Sequence, residues 1–316
     1  MSPADAPTPP ETAAQQSVAP SVLDDAQLEL VDLPSGDALT PQESAKVLGA
    51  SPARVIVLGG PFGCGKTTLI ASIYERFRKG PFAGLSFAGS RTLLGFEQIC
   101  HPGREDSGLL TPSTDRTPMS QSRRMFHLRL ADAHEVQRDV LLVDISGEEY
   151  DSVRNSDDAC DELQIIRRAD HFALLVDGEK LAIPAERHHA KYETETILQA
   201  LMQTGILTHR TWVDLVVSKD DRIQDSPADN DAELFVAQMQ QEISNRFQGS
   251  FAAMRFSRIA ARRPDGGRPP ADGVEGLLPQ WFEKAKIAPE HIAPRLPEGA
   301  ALRECDRFLL TVKDVQ

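Results

Sequence analysis

The sequence predicts an α/β fold: a doubly wound, mostly parallel sheet with helices on both faces. Three observations carry that expectation. From residue 54 onward, short apolar runs alternate with helical patterns, as in successive βαβ units. The runs (RVIVL at 54–58, DVLLVD at 139–144, FALLV at 172–176 and WVDLVV at 212–217) are apolar at nearly every position, so both of their faces expect burial. Composition agrees, since 316 residues with 41% hydrophobic and 26% charged side chains can close a full core without disulfide or metal staples.

The elements follow in order. Residues 1–38 read as an acidic tail: the first 20 positions hold five Pro and five Ala, too little apolar area to offset chain entropy. Thr40-Pro41-Gln42-Glu43 is a capping box with proline at the first helical position, so a short helix should run to about Gly49. A strand at 54–58 and a helix over about 67–79 come next. Residues 80–124, rich in Gly, Pro, Ser and Thr, read as an irregular insertion. Met125–Ala131 and Asp139–Ile145 then form two strands whose short polar connection suggests a hairpin. Helices over about 157–168, 184–202 and 229–247 alternate with strands at 171–176, 211–217 and 253–260, and a last helix spans about 274–284. Gly205 should stop the second of these helices. The resulting organisation is a tail (1–38), one domain (39–285) and an extension (286–316).

Charge and cysteine use narrow the function. The formal net charge is −13, and eight acids precede the first lysine, leaving only −5 for the rest. Such a balance gives no bulk attraction for nucleic acid or anionic membrane. No apolar run is long enough to span a bilayer. The four cysteines lie far apart with no CxxC pair, and the first residues lack a basic, then apolar, leader pattern. Both features point to the cytoplasm.

One segment carries most of the functional weight. Gly60-Pro61-Phe62-Gly63-Cys64-Gly65-Lys66-Thr67 fits G-x-x-x-x-G-K-[ST], directly after a β-branched strand and opening a helix that continues with Thr68. Glycines let the backbone curl so that successive N–H groups face phosphate oxygens, and the helix N-terminus adds its dipole. Lys66 would reach the β- and γ-phosphates, and the Thr67 hydroxyl would hold Mg²⁺. Cys64 reads either as a small residue chosen for fit or as a redox-sensitive gate.

Later segments address which nucleotide is bound. Asp144 ends an apolar strand and can bind Mg²⁺ through water, while Gly147, three residues on, can offer its N–H to a γ-phosphate. Ser218-Lys219-Asp220-Asp221 ends another strand. A carboxylate at Asp221 can accept from guanine N1–H and the exocyclic amine, a pair adenine lacks, and the Lys219 stem can lie over the base. Ala260 and Ala261, ending the next strand, are positioned to give a backbone N–H to guanine O6. Asp177-Gly178-Glu179-Lys180 reads as a turn near the same edge, or as a further contribution to the nucleotide site.

In order and placement these segments resemble the P-loop GTPases of the TRAFAC class, the translation-factor and small-GTPase group, over about residues 54–262. The long stretch between Lys66 and Asp144, with FAGSRTLLGFE and TPSTDRT, is similar to the bacterial double-GTPase group, which is associated with conflict and defence systems. The resemblance implies GTP or GDP as ligand, Mg²⁺ as cofactor and slow hydrolysis. It also implies loops at 105–124 and 146–156 that order around the γ-phosphate, and a protein partner, either an effector or a second GTPase. It implies catalytic roles for Lys66, Gly147 and Glu148, and a switch threonine on the metal, Thr117 ahead of Thr114 and Thr111, with Arg116 beside them. Two departures stand out. Ser218 replaces the usual Asn or Thr, and Glu148 stands where small GTPases often carry Gln. Two alternatives stay open: a P-loop ATPase or kinase, although the chain lacks LSGGQ and has Asp144-Ile145 where transporters have Asp-Glu, and a GTP-binding scaffold without turnover.

Overall fold

The structure, a computed structural model, describes residues 34–101, 123–153, 163–226, 229–261 and 271–283. Helix α1 (Pro41–Ala50) begins at the expected capping box: the Thr40 hydroxyl accepts from the Glu43 N–H at 3.3 Å, and Glu43 Oε2 accepts from the Thr40 N–H at 2.9 Å. Strand β1 (Ala53–Gly59) leads through the glycine-rich loop into α2 (Lys66–Lys79). Then come β2 (Ser86–Gly89), α3 (Leu93–Cys100), and the hairpin of β3 (Arg123–Ala131) and β4 (Gln137–Ile145). Helix α4 (Gly147–Val153) starts two residues after β4, and a 3₁₀ turn (Gln164–Arg168) precedes β5 (His171–Asp177). The rest is α5 (Gly178–Ala182), α6 (Arg187–Gln203), β6 (Trp212–Ser218), α7 (Asp220–Gln224), α8 (Asp229–Arg246), β7 (Ala253–Arg258) and α9 (Val274–Gln280).

Among the described residues, seven strands form one sheet in the order β2-β3-β4-β1-β5-β6-β7. β1 pairs in parallel with β4 and β5, β6 and β7 extend the parallel part, and β3 and β2 add an antiparallel edge. The sheet is therefore mostly parallel, as expected. Its two faces carry separate cores. Val55, Val57, Leu174 and Leu215 pack under α4, α6 and α8 on one face; Ile56, Leu58, Ala173 and Val216 pack under α2, α3 and α9 on the other. Alternate residues of each central strand supply the two cores, which is why their sequences are apolar throughout.

The structure differs from the sequence reading at several elements. The stretch 80–124, expected to be irregular, contains β2 and α3. α3 is anchored by Phe96, which stacks on Tyr74 with ring centroids 4.6 Å apart. Within the helix expected at 157–168, the described part is the 3₁₀ turn. The helix expected at 184–202 is α6, which begins at Arg187; the stretch from Asp177 to Lys180, read as a turn, runs into the separate short helix α5, and α9 ends at Gln280 with Trp281 buried behind it. Packing also begins before Thr40: Gly36 O accepts from the Gly95 N–H at 2.8 Å, and the Leu39 N–H donates to Met125 O at 2.8 Å. Leu39 thereby bridges the part of β3 that β2 does not cover.

Candidate functional site

The site is built at the C-terminal ends of β1, β4, β5, β6 and β7, the edge at which open α/β sheets bind ligands. The loop from Gly60 to Gly65 curls with φ of 130°, 80° and 91° at Gly60, Gly63 and Gly65, a region that side chains avoid. Gly65 is the N-cap of α2 and, having no side chain, leaves the helix's first N–H groups facing the loop. A Cβ at Gly63 would meet nothing within 4 Å, so curvature rather than crowding demands glycine there, and the open side has room for an anion. Pro61 and Cys64 are buried in the loop, while Phe62 at its tip is 57% exposed.

Lys66 folds back over this loop. Its Nζ donates to Gly60 O at 2.7 Å and Pro61 O at 3.0 Å, and lies 5.9 Å from the centroid of the buried Tyr150 ring. An anion in the loop would exchange these carbonyl bonds for stronger charge-assisted ones. Cys64 Sγ lies 3.8 Å from the same ammonium, but burial outweighs that charge and pushes the thiol up. The structure thus favours Cys64 as a residue of fit, because a redox gate needs an accessible thiolate.

Thr67 and Thr68 occupy the first turn of α2. The Thr67 hydroxyl donates to Asp144 Oδ2 at 2.9 Å, which joins two residues 77 positions apart. A hydroxyl and a carboxylate side by side at a helix N-terminus are a hard-oxygen donor set of the kind Mg²⁺ takes. The sequence reading missed a third residue at Asp144, which is a cation and not a metal ligand. Arg124, on β3, donates from Nη2 to the same Asp144 Oδ2 at 3.0 Å. The hairpin expected from 125–131 and 139–145 stops short of Arg124; the strands are longer, and their register sets Arg124 directly opposite Asp144.

Gly147 packs on the loop itself. A Cβ there would collide with the backbone of Phe62 and Pro61, so only glycine allows this approach. Glu148 and Glu149 follow in the first turn of α4, both half-buried. Glu149 accepts from Arg123 Nε at 3.0 Å, so adjacent arginines of β3 hold the segment on both sides of Gly147. Thr111, Thr114, Arg116 and Thr117 lie outside the described residues.

Beyond β6 the arrangement is partly as expected. Ser218 does not face outward: its hydroxyl lies 2.7 Å from Cys64 O and 3.1 Å from Val176 O, tying the loop to β5 and β6. Lys219 takes a left-handed φ of 50°, and its Nζ donates to Asp177 Oδ2 and Glu179 Oε2, both at 2.9 Å. Burial alone would lower its pKa, but the two carboxylates outweigh it and hold the ammonium raised. Asp177 also caps α5 through the Glu179 N–H at 3.0 Å, so the Asp177–Glu179 turn belongs to this end of the sheet. Asp221 is buried in α7, next to Asp220, which Arg258 Nε holds at 2.5 Å. Arg258 also pairs with Glu233 of α8. Ala260 and Ala261 follow β7, and the Ala260 N–H is committed to Asp272 O at 3.0 Å.

Comparison with known proteins bears on this arrangement. The model of a family described as Double-GTPase 2 matches residues 54–282. Among curated proteins, none matches the chain. Solved structures of similar shape include the signal recognition particle receptor SRb–GTP/SRX complex from Chaetomium thermophilum. That match has 15% identity and TM-score 0.42, and covers 73% of this chain and 99% of that one. They also include translation elongation factor SelB from Methanococcus maripaludis, bound to a GTP analogue (15% identity, TM-score 0.37, 74% of this chain and 35% of that one). A third is the Ski7 GTPase-like domain of S. cerevisiae bound to GDP and inorganic phosphate (14% identity, TM-score 0.38, 68% and 45%). This chain spans less than half the length of the last two. The family match extends from the first core strand to the residue after Trp281, well over half of the 316 residues, and the chain belongs to the Double-GTPase 2 family.

Proposed function

We propose that the chain binds GTP and GDP at this edge of the sheet and acts as a nucleotide-dependent switch with slow hydrolysis. One observation carries the reading: hydrogen bonds join motifs distant in sequence, Thr67 to Asp144 and Ser218 to Cys64, around a single glycine-rich loop. The loop N–H groups and Lys66 would hold the phosphates. Thr67 and Asp144 would hold Mg²⁺, which when bound supplies charge neutralisation between the β- and γ-phosphates. Asp221 would read the guanine edge. Ala261 is better suited than Ala260 to meet guanine O6, since the Ala260 N–H already has an acceptor.

Gly147 would answer a γ-phosphate by leaving its contact with Phe62, which couples nucleotide state to α4. Glu148 directly follows Gly147, where small GTPases often carry Gln. A carboxylate there orients water less freely beside a polyanion than an amide would, which favours slow turnover. The same residue supports a second reading, a GTP-bound scaffold without turnover. The family resemblance supports a protein partner, an effector or a second GTPase, and a role in conflict or defence. Among the described residues no helix is long and apolar enough to cross a membrane.

Competition binding of GTP, ATP and XTP to wild type and Asp221→Asn tests the nucleotide assignment. GTP should outcompete ATP on wild type, and the variant should shift towards XTP because the carboxylate–guanine pairing is lost. Equal binding of GTP and ATP by wild type would overturn it.

A further inference from the structure

Among the described residues, Asp144 is the most deeply buried carboxylate at the phosphate edge, with its side chain 1% exposed, and Arg124 beside it is 12% exposed. Taking a carboxylate out of water is costly unless a cation or strong donors replace its hydration. Here a cation is supplied by the chain. Arg124 Nη2 lies 3.0 Å from Asp144 Oδ2, the same oxygen that accepts from Thr67. The guanidinium is held from behind as well: its Cζ lies 5.7 Å from the centroid of the Phe126 ring, two residues along the same face of β3. The β3–β4 register sets Arg124 and Asp144 directly across from each other, so the pair is built into the ladder rather than made by a wandering surface side chain.

A divalent cation held by Thr67 and Asp144, directly or through a water, would lie beside the oxygen that both Thr67 and Arg124 contact. Two cations at one carboxylate repel each other and divide its single charge, so one must give way. We infer that Arg124 is a tethered competitor for the Mg²⁺ site, occupying Asp144 when the metal is absent and being displaced from it when the metal arrives. This rests on the nucleotide reading above and adds a regulatory feature to it: the chain weakens its own metal affinity and keeps its metal-free state folded. Another arginine of β3 separates the effect from general charge, because Arg129 pairs with Asp139 at the opposite end of the sheet. Arg124 is the second residue of β3, so its release from Asp144 would be felt at the start of that strand.

The full chain, freed of metal with EDTA, is mixed with a fluorescent GDP analogue and titrated with Mg²⁺, while melting is followed in parallel. In Arg124→Gln the Mg²⁺ concentration for half-saturation should fall about tenfold, the size of one lost charge-assisted hydrogen bond. The same variant should melt below wild type without metal, and the gap should close at saturating Mg²⁺ and GDP. Arg129→Gln should leave half-saturation at the wild-type value. Arg124→Lys keeps the charge on a stem without the fork, so its half-saturation should fall about threefold, which is read even if the Gln variant does not fold. A merely structural role for Arg124 moves the result the other way: an unchanged or higher Mg²⁺ requirement in the variants overturns the inference. Failure of wild type to bind the GDP analogue at all overturns the nucleotide reading and this inference with it.

Discussion

Ser218 shows how one hydroxyl separates two jobs that the motif alone would merge. Its oxygen lies against Cys64 O and Val176 O and is only 3% exposed, so it braces the phosphate loop and has no face towards a base. Asp221, three residues on, is the group that would distinguish guanine from adenine. Ser218→Ala should therefore weaken GTP and ATP alike, by about fivefold for one net hydrogen bond, and leave their ratio unchanged. Competition binding with the two nucleotides reads this directly, and a change in the GTP-to-ATP ratio would return Ser218 to the base. Arg124 teaches a related lesson. The glycine-rich loop, Asp144 and Asp221 were legible because each has a fixed neighbour in sequence. Arg124 acts through a partner 20 residues away, across a hairpin register, and carries no local signature.

At the level of elements, legibility followed length and burial. β1, β4, β5 and β6 are apolar at consecutive positions because each feeds both cores, and a run of that kind needs no partner to be recognised. α5 and α7 have five residues each, too few for a helical period to repeat, and their caps lie in chain turns that read as loops. β2 is exposed along nearly its whole length, so no alternation marks it, and the aromatic anchor of α3 is visible only once Tyr74 is opposite Phe96. α1 is the opposite case, since its start is written entirely in local chemistry. The Thr40–Glu43 box satisfies two helix-end donors and holds Glu43 below the usual carboxylate range, through the Thr40 N–H first and its hydroxyl second. Thr40→Ala should cost about 1 kcal/mol, seen as a fall in Tm of about 2–4 °C. An unchanged Tm would mean that the contact of Leu39 with β3, rather than the cap, holds α1 in place.

Across the whole molecule, polar chemistry is divided between the two ends of the sheet. The C-terminal strand ends carry the candidate nucleotide site, while the opposite ends carry buried clusters that serve the fold. His171 Nδ1 and Trp281 Nε1 meet Asp214 Oδ2 at 2.9 and 3.2 Å, joining β5, β6 and the end of α9. The second cluster centres on Asp139, with Arg129 Nε at 2.7 Å, His127 Nε2 at 3.0 Å and the Ser51 hydroxyl. It lies five residues before Asp144, about 17 Å along β4. His127 Nδ1 accepts from the Arg91 N–H at 3.0 Å, so the ring is neutral, with its proton on Nε2 towards Asp139. Burial lowers its pKa more than Asp139 raises it. The sign follows from that direction. As pH falls below about 6.5, the ordinary histidine value, the unfolded chain takes up the proton before the folded one does. Stability contributed by His127 is therefore complete above that value and is lost as pH falls through the depressed folded pKa. Asp139 is likewise held below the usual range: burial alone would raise it, but Arg129, Ser51 and His127 outweigh burial, so its contribution is lost only at lower pH still. Tm should drop between pH 7 and pH 5, and His127→Gln should flatten part of that drop, because an amide can meet Arg91 and Asp139 without titrating. A Tm profile with the same slope in wild type and His127→Gln would remove His127 from the acid response.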